Sequence, residues 1–136
     1  MYETAQTLAA PFTVRLHARP GSTVLLRRKL GRWLESYGVA EAEVFDVLLA
    51  SSEAFANAVE HPLRPAAAVI DVEAELAAGV LRLTVRDYGD WRNERDREEG
   101  GMGFPIMRAL MQAVDVASGT EGSTIALRRR LRSLSP

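Results

Sequence analysis

The hydrophobic and polar positions near the start of the chain follow two periods, and each period predicts one type of element. Apolar and polar residues alternate over 12–17, which predicts a β-strand. Over 24–37, apolar residues recur at spacings of three and four, which predicts an amphipathic helix. We expect Ser22 to be the N-cap of this helix and Gly38 to mark its C-terminal end.

The rest of the chain continues with a long helix and several short elements. The long helix is predicted from Glu41 to His61, because Pro62 cannot continue it. A third, shorter helix is predicted over 106–113, with Pro105 in its first turn. The remaining strands are short apolar runs bounded by turns at 77–79 and 119–122: 68–75, 80–87, 114–117 and 124–130.

The order of these elements predicts an α+β fold. Strand, two helices, two strands, a loop, a helix and two strands do not form a βαβ repeat, which argues against a doubly wound dinucleotide fold. We expect a two-layer sandwich, with about three helices on one face of a mostly antiparallel mixed sheet. Residues 1–136 are expected to form a single domain. The irregular stretch before the short helix is long for a compact domain, and such loops are usually functional or disordered.

Composition and charge exclude several classes of function. The net charge is −1 and the charged residues make up 26% of the chain, so no general basic field exists to hold nucleic acid. There are no cysteines, which excludes disulfides and thiolate chemistry. No apolar run is long enough to span a membrane, and no signal peptide is recognisable at the start. The simplest expectation is a cytoplasmic protein that contacts neither membrane nor nucleic acid directly.

The long predicted helix has an apolar face and a polar face. The predicted apolar face carries Phe45, Leu48, Phe55 and Val59. The polar face carries Asp46, Glu53, Asn57 and Glu60 or His61. An asparagine carbonyl suits Mg²⁺, and a carboxylate one turn away could accept a proton from an attacking hydroxyl. The alternative interpretation of the same stripe is a solvated helix face.

An aspartate at the end of a predicted strand is a second candidate. The period of two places Asp87 on the same face as Leu81, Leu83 and Val85, so its carboxylate points inward and needs a hydrogen-bonding partner. An adenine amino group is a suitable donor, and Gly89 would let a ring approach the backbone. The alternative is an ordinary strand-ending aspartate in a turn.

A glycine-rich segment precedes the short helix. Gly100, Gly101 and Gly103 lie where free backbone N–H groups before a helix can hold phosphate. The segment lacks the Lys-Ser or Lys-Thr pair of a P-loop. The alternative is a flexible hinge.

In this order, these segments resemble the motifs of the SpoIIAB and RsbW family of anti-sigma factors, which are serine kinases among the GHKL ATPases. The similarity extends over 12–130. The four segments that carry it resemble the family's N box, its two glycine boxes and its final box: 53–61, 85–89, 101–107 and 121–127. The resemblance therefore implies the GHKL, or histidine-kinase-like ATPase, fold.

The resemblance also implies roles for individual residues, with ATP and Mg²⁺ as cofactors. Glu53 would be the general base, and Asn57 would hold Mg²⁺. Asp87 and Gly89 would bind adenine, assisted by a hydroxyl of Ser123 or of its neighbour Thr124. The residues 90–103 would form the ATP lid. The second glycine box would contact the phosphates, and its candidate residues are Gly101, Met102, Gly103 and Phe104.

Two functions from different classes follow. The first is a serine/threonine protein kinase that phosphorylates an anti-anti-sigma (STAS) protein and sequesters a sigma factor, with a homodimer implied by the resemblance. The second is a degenerate ATP-binding module that acts by protein binding alone. Glu53 and Asn57 together favour the kinase, whereas the acidic pair Glu98 and Glu99 near the predicted phosphates favours the module. A sensor histidine kinase is a weaker alternative, because no dimerisation helix with a histidine precedes the domain.

Overall fold

A computed structural model describes residues 10–60, 68–89 and 103–132. Eight elements are defined along these residues. The five strands are β1 (Phe12–His17), β2 (Val69–Ala77), β3 (Val80–Asp87), β4 (Ala113–Gly119) and β5 (Gly122–Arg130). The three helices are α1 (Ser22–Ser36), α2 (Glu41–Val59) and α3 (Gly103–Leu110).

The strands form one five-stranded sheet in the order β1-β2-β3-β5-β4. Every pairing within the described part of the chain is antiparallel. Strands β2, β3 and β5 bury every second residue, because one face of the sheet packs against α1 and α2. No helix among the described residues covers the other face, which we call the open face. The structure thus confirms the predicted two-layer α+β architecture.

Two turns lie where the sequence predicts them. The β2–β3 hairpin turns at Ala78 and Gly79, where φ is 53° and 77°. Positive φ at both central residues matches the right-handed twist of the flanking strands and produces a tight hairpin. Gly38, with φ of 79°, follows α1 and donates its N–H to the Glu35 carbonyl, as expected of a glycine that ends a helix.

Several helix boundaries differ from the sequence prediction. The long helix α2 was predicted to end at His61, but it ends at Val59, with Glu60 as its C-cap. Ser22 is the first residue of α1 and not its N-cap, which is Gly21 and makes no side-chain capping bond. The third helix spans Gly103–Leu110 rather than 106–113. It ends early because Gln112 donates its N–H to the Arg128 carbonyl, so the chain has already joined the sheet.

The predicted apolar face of α2 is wrong at Phe45, whose side chain is 66% exposed. The buried residues of this helix include Val44, Val47, Ala54 and Phe55. Phe45 directly follows Val44, so the helical rotation of about 100° per residue turns its side chain away from the core.

A buried ion pair joins α2, α3 and β5. Arg129 contacts the Glu43 carboxylate at 2.9 Å, donates to Asp46 Oδ2 at 3.0 Å and donates to the Leu110 carbonyl at 3.1 Å. Glu43 also accepts the Arg132 N–H at 2.7 Å. Asp46, predicted only as part of the polar stripe, is therefore a structural contact. None of the helices in the described residues is long and apolar enough to cross a membrane.

Candidate functional site

Asp87 ends β3 on the buried face of the sheet, as its place in the alternating strand predicts. The residue is fully buried. Its Oδ1 accepts the Gly89 N–H at 2.9 Å, and its Oδ2 accepts the Ser123 hydroxyl at 3.1 Å. A buried carboxylate is costly without such donors, so these bonds hold it in one orientation. The first bond closes a turn of the type that aspartate favours.

Gly122 allows the backbone of β5 to lie against this turn. Its φ is 140°, a conformation that side-chain-bearing residues rarely adopt. A methyl group there would collide with the Asp87 carbonyl oxygen and would lie 3.2 Å from the Tyr88 Cα. Glycine is therefore required on both conformational and steric grounds.

The register of β3 and β5 separates the two hydroxyl candidates. Ser123 pairs with Asp87 and shares its buried face, whereas Thr124 pairs with Arg86 on the open face. The structure brings Ser123 to Asp87 and directs Thr124 away from it.

Glu53 lies beside the N-terminus of α3. A methyl group at Gly103 would lie 3.4 Å from Glu53 Oε1, which is van der Waals contact. The helices α2 and α3 pack together, and their packing brings Glu53, the predicted base, close to Gly103, the last glycine of the predicted phosphate loop. Asn57 lies one turn after Glu53 on α2 and is half-buried.

Phe104 and the preceding residues complete the set of predicted positions. The Phe104 side chain is buried in the core, with the Arg108 guanidinium 5.3 Å from its ring centre. Only its backbone N–H is suited to meet a ligand at the start of α3. Gly101, Met102 and the predicted lid up to Met102 lie outside the described residues.

A polar cluster on the open face was not predicted from the sequence. Arg15 donates to both carboxylate oxygens of Asp71, at 2.7 and 2.9 Å, and the Tyr88 hydroxyl also donates to Asp71. The Arg15 hydrogen bond lowers the pKa of Asp71, and the hydrogen bond to Asp71 raises the pKa of Tyr88. Alternation on each strand could have placed these residues on one face, but their pairing depends on the strand order.

Fold and site together define a histidine kinase-like ATPase domain. The sequence profile of that family matches residues 16–129, and the chain belongs to the family. The anti-sigma F factor of Clostridium kluyveri is 27% identical over 106 residues, covering 68% of this chain and 75% of that protein. The anti-sigma F factor of Halalkalibacterium halodurans is 28% identical over 119 residues, covering 77% and 82%.

A solved structure extends the similarity to three dimensions. The crystal structure of the RsbU and RsbW domains of Rv1364c from Mycobacterium tuberculosis has a TM-score of 0.75 and 29% identity over 90% of this chain. This chain spans 32% of that longer chain. The predicted resemblance to the SpoIIAB and RsbW anti-sigma factors is confirmed by these similarities.

Proposed function

We propose that this chain is a cytoplasmic protein serine/threonine kinase and anti-sigma factor. It would transfer the γ-phosphate of ATP to a Ser or Thr of a STAS-type anti-anti-sigma protein. In the alternate state of this partner switch it would sequester a sigma factor. The family membership and the similarity to anti-sigma F factors support this assignment.

The observation that carries the proposal is the proximity of the Glu53 carboxylate to Gly103, the first described residue of α3. Helix N-termini attract phosphate through their free N–H groups and the helix dipole. A carboxylate at that point lies within reach of a hydroxyl approaching the terminal phosphate. A purely structural nucleotide site has no need of a base there.

The proposed reaction is an in-line phosphoryl transfer. The hydroxyl oxygen of the substrate attacks the γ-phosphorus, and the bond from that phosphorus to the β–γ bridging oxygen breaks, which releases ADP. Glu53 accepts the hydroxyl proton. The N–H groups around Gly101–Phe104 would hold the phosphates, and Asp87 with Gly89 and Ser123 would hold adenine.

Magnesium would enter this site with the nucleotide. In the part of the chain that the structure describes, no three His, Cys, Asp or Glu side chains form a group that could hold a metal by themselves. The side-chain oxygen of Asn57 is of the type that Mg²⁺ prefers, and Mg²⁺ commonly takes one or two protein ligands with phosphate and water for the rest. Asn57 would thus hold the ion, which shields the charge of the phosphates.

Substitution of Glu53 tests the kinase assignment. Glu53→Ala should abolish phosphate incorporation into the STAS-type proteins of the same organism, measured by mass spectrometry, while ATP affinity stays within about threefold. The matched control is Glu35→Ala, because Glu35 is an exposed glutamate on a different helix, α1. Asn57→Ala should instead weaken nucleotide binding in the presence of Mg²⁺. Phosphotransfer by the Glu53 variant at the parent rate would refute the proposed base.

The second candidate is an ATP-binding regulatory module without catalysis. The acidic pair Glu98 and Glu99, close in sequence to the predicted phosphate loop, favours it by electrostatics. Under this alternative, ATP binds and the STAS partner associates, but no phosphate is transferred by the parent protein. A homodimer is proposed under both alternatives.

A further inference from the structure

Tyr88 lies between the two residues that the proposed site assigns to adenine, but its side chain is used on the opposite face of the sheet. Asp87 points into the buried layer. Tyr88 follows it and directs its hydroxyl to Asp71, on the open face of β2. The main chain at this point therefore carries an inward carboxylate and an outward phenol on adjacent residues.

The phenol is held by two interactions. Its hydroxyl donates to Asp71, which Arg15 from β1 also holds through a bidentate pair. Its ring lies 5.0 Å from the Arg86 guanidinium carbon, within the range of a cation–π interaction. The register puts Arg15, Asp71 and Arg86 side by side on three neighbouring strands. We call these four side chains the Tyr88 clasp: Arg15, Asp71, Arg86 and Tyr88.

Fixing Tyr88 restricts the turn on either side of it. The Gly89 N–H donates to the Asp87 carboxylate, so a rotation of the Tyr88 backbone would break that bond. Gly122 packs against the same turn from β5 and leaves no space for it to shift in that direction. The clasp thus restrains, from the open face of the sheet, the orientation of a carboxylate on the buried face.

We propose that Tyr88 is a positioning residue for base recognition, acting through the Asp87–Gly89 turn and anchored by Asp71 on the open face. This inference rests on the proposed nucleotide site. It concerns selectivity for the 6-amino group of adenine, because that group would donate a hydrogen bond to a correctly oriented Asp87 carboxylate. The proposal concerns recognition of adenine alone, and it predicts no effect of Tyr88 on phosphate binding.

The test compares two nucleotides in calorimetry with the full chain. The probes are a non-hydrolysable ATP analogue and the matching inosine analogue, in which an oxygen replaces the 6-amino group. Tyr88→Phe should weaken binding of the ATP analogue by about tenfold at most and change the inosine analogue by less than about twofold. Tyr37→Phe is the matched control, because that hydroxyl accepts the Ala10 N–H far from the turn.

A double variant and a nucleotide-free measurement complete the design. Asp71→Asn should reproduce the loss of selectivity, and Tyr88→Phe with Asp71→Asn should be no worse than the more affected single variant. In protein without nucleotide, amide exchange at Gly89 should accelerate severalfold in Tyr88→Phe and stay unchanged in Tyr37→Phe. An unchanged Gly89 exchange rate, or an equal loss of both analogues, would overturn the positioning role.

Failure of the proposed site gives a different pattern. If the parent protein binds neither analogue, or if Asp87→Asn binds the ATP analogue like the parent, the nucleotide site itself is wrong. If the parent prefers the ATP analogue and Tyr88→Phe keeps the full preference, only the role of Tyr88 is wrong.

Discussion

At the scale of single residues, the candidate adenine site depends on a few backbone positions that tolerate little change. Asp87 is fully buried and held by Ser123 and Gly89. Gly122 lets β5 approach this turn closely because it carries no side chain. Because position 122 requires glycine, a substitution there should lower the stability of the protein.

Gly122→Ala should destabilise the protein by about 1–3 kcal/mol, because the new side chain forces a strained φ and collides with the Asp87 carbonyl. Urea denaturation measures this. Gly119→Ala, at the other end of the same hairpin, has no atom within contact distance of the added carbon and is the matched control. Equal stability of the two variants would show that β5 does not approach the turn this closely.

The ion pair on the open face predicts a dependence of stability on pH. Because Arg15 lowers the pKa of Asp71 in the folded protein, the contribution of Asp71 is complete above the unfolded-state pKa of about 4. It is lost as the pH falls through the lowered folded-state pKa. The stability difference between the parent and Asp71→Asn should therefore be constant from about pH 7 to 5 and shrink towards zero below about pH 4.

Glu73→Gln, an exposed change on the same strand and face, is the control for Asp71→Asn. The stability difference for Asp71→Asn should also decrease with added salt, because Arg15 is exposed. A difference that persists unchanged at low pH would contradict the assigned ion pair. Chemical denaturation at a series of pH values provides the measurement.

The inward direction of Asp87 could be predicted from the sequence, because strand alternation fixes the face of each side chain. The partners of Asp71 and Arg129 could not. Arg129 and Glu43 are 86 residues apart, and their contact depends on how β5 and α2 meet. Sequence periodicity describes an element and carries no information on which elements become neighbours.

At the scale of elements, Arg129 connects parts of the fold that also carry the site. It links β5 to α2 through Glu43 and Asp46 and to the C-terminal end of α3 through the Leu110 carbonyl. Those helices carry Glu53 and Gly103, respectively. The ion pair is remote from both residues but contributes to the arrangement that brings them together.

Arg129→Met should destabilise the protein by about 3–5 kcal/mol, because it leaves the buried Glu43 carboxylate without its cation. Arg130→Met, at the adjacent exposed position, should change stability by less than about 0.5 kcal/mol. The double variant Arg129→Met with Glu43→Gln should recover part of the loss, since it removes the buried charge. Thermal or urea denaturation distinguishes the three, and a nearly neutral Arg129→Met would refute the buried pair.

Element types were more predictable than element ends. The predicted type of each described helix and strand agrees with the structure, since each has a clear period. The start of α3 was missed because Gly103 was assigned to the glycine-rich segment that precedes the helix. Its N-terminal turn forms against α2, which local sequence does not reveal.

At the scale of the whole molecule, the sheet separates two kinds of chemistry. The buried layer between helices and sheet contains Asp87 and Ser123, and the open face carries the Tyr88 clasp. The α+β class could be predicted from element order, whereas the strand order β1-β2-β3-β5-β4, which joins Asp87 to Ser123, required the structure. The central claim is that this arrangement forms a working ATP site.

Calorimetric titration of a non-hydrolysable ATP analogue, with and without Mg²⁺, tests that claim most directly. The account predicts binding that depends on Mg²⁺, with a Kd in the micromolar range or below, and a marked loss in Asp87→Asn, which replaces the carboxylate facing adenine. Absence of binding at millimolar nucleotide would contradict the ATP site and with it the proposed kinase.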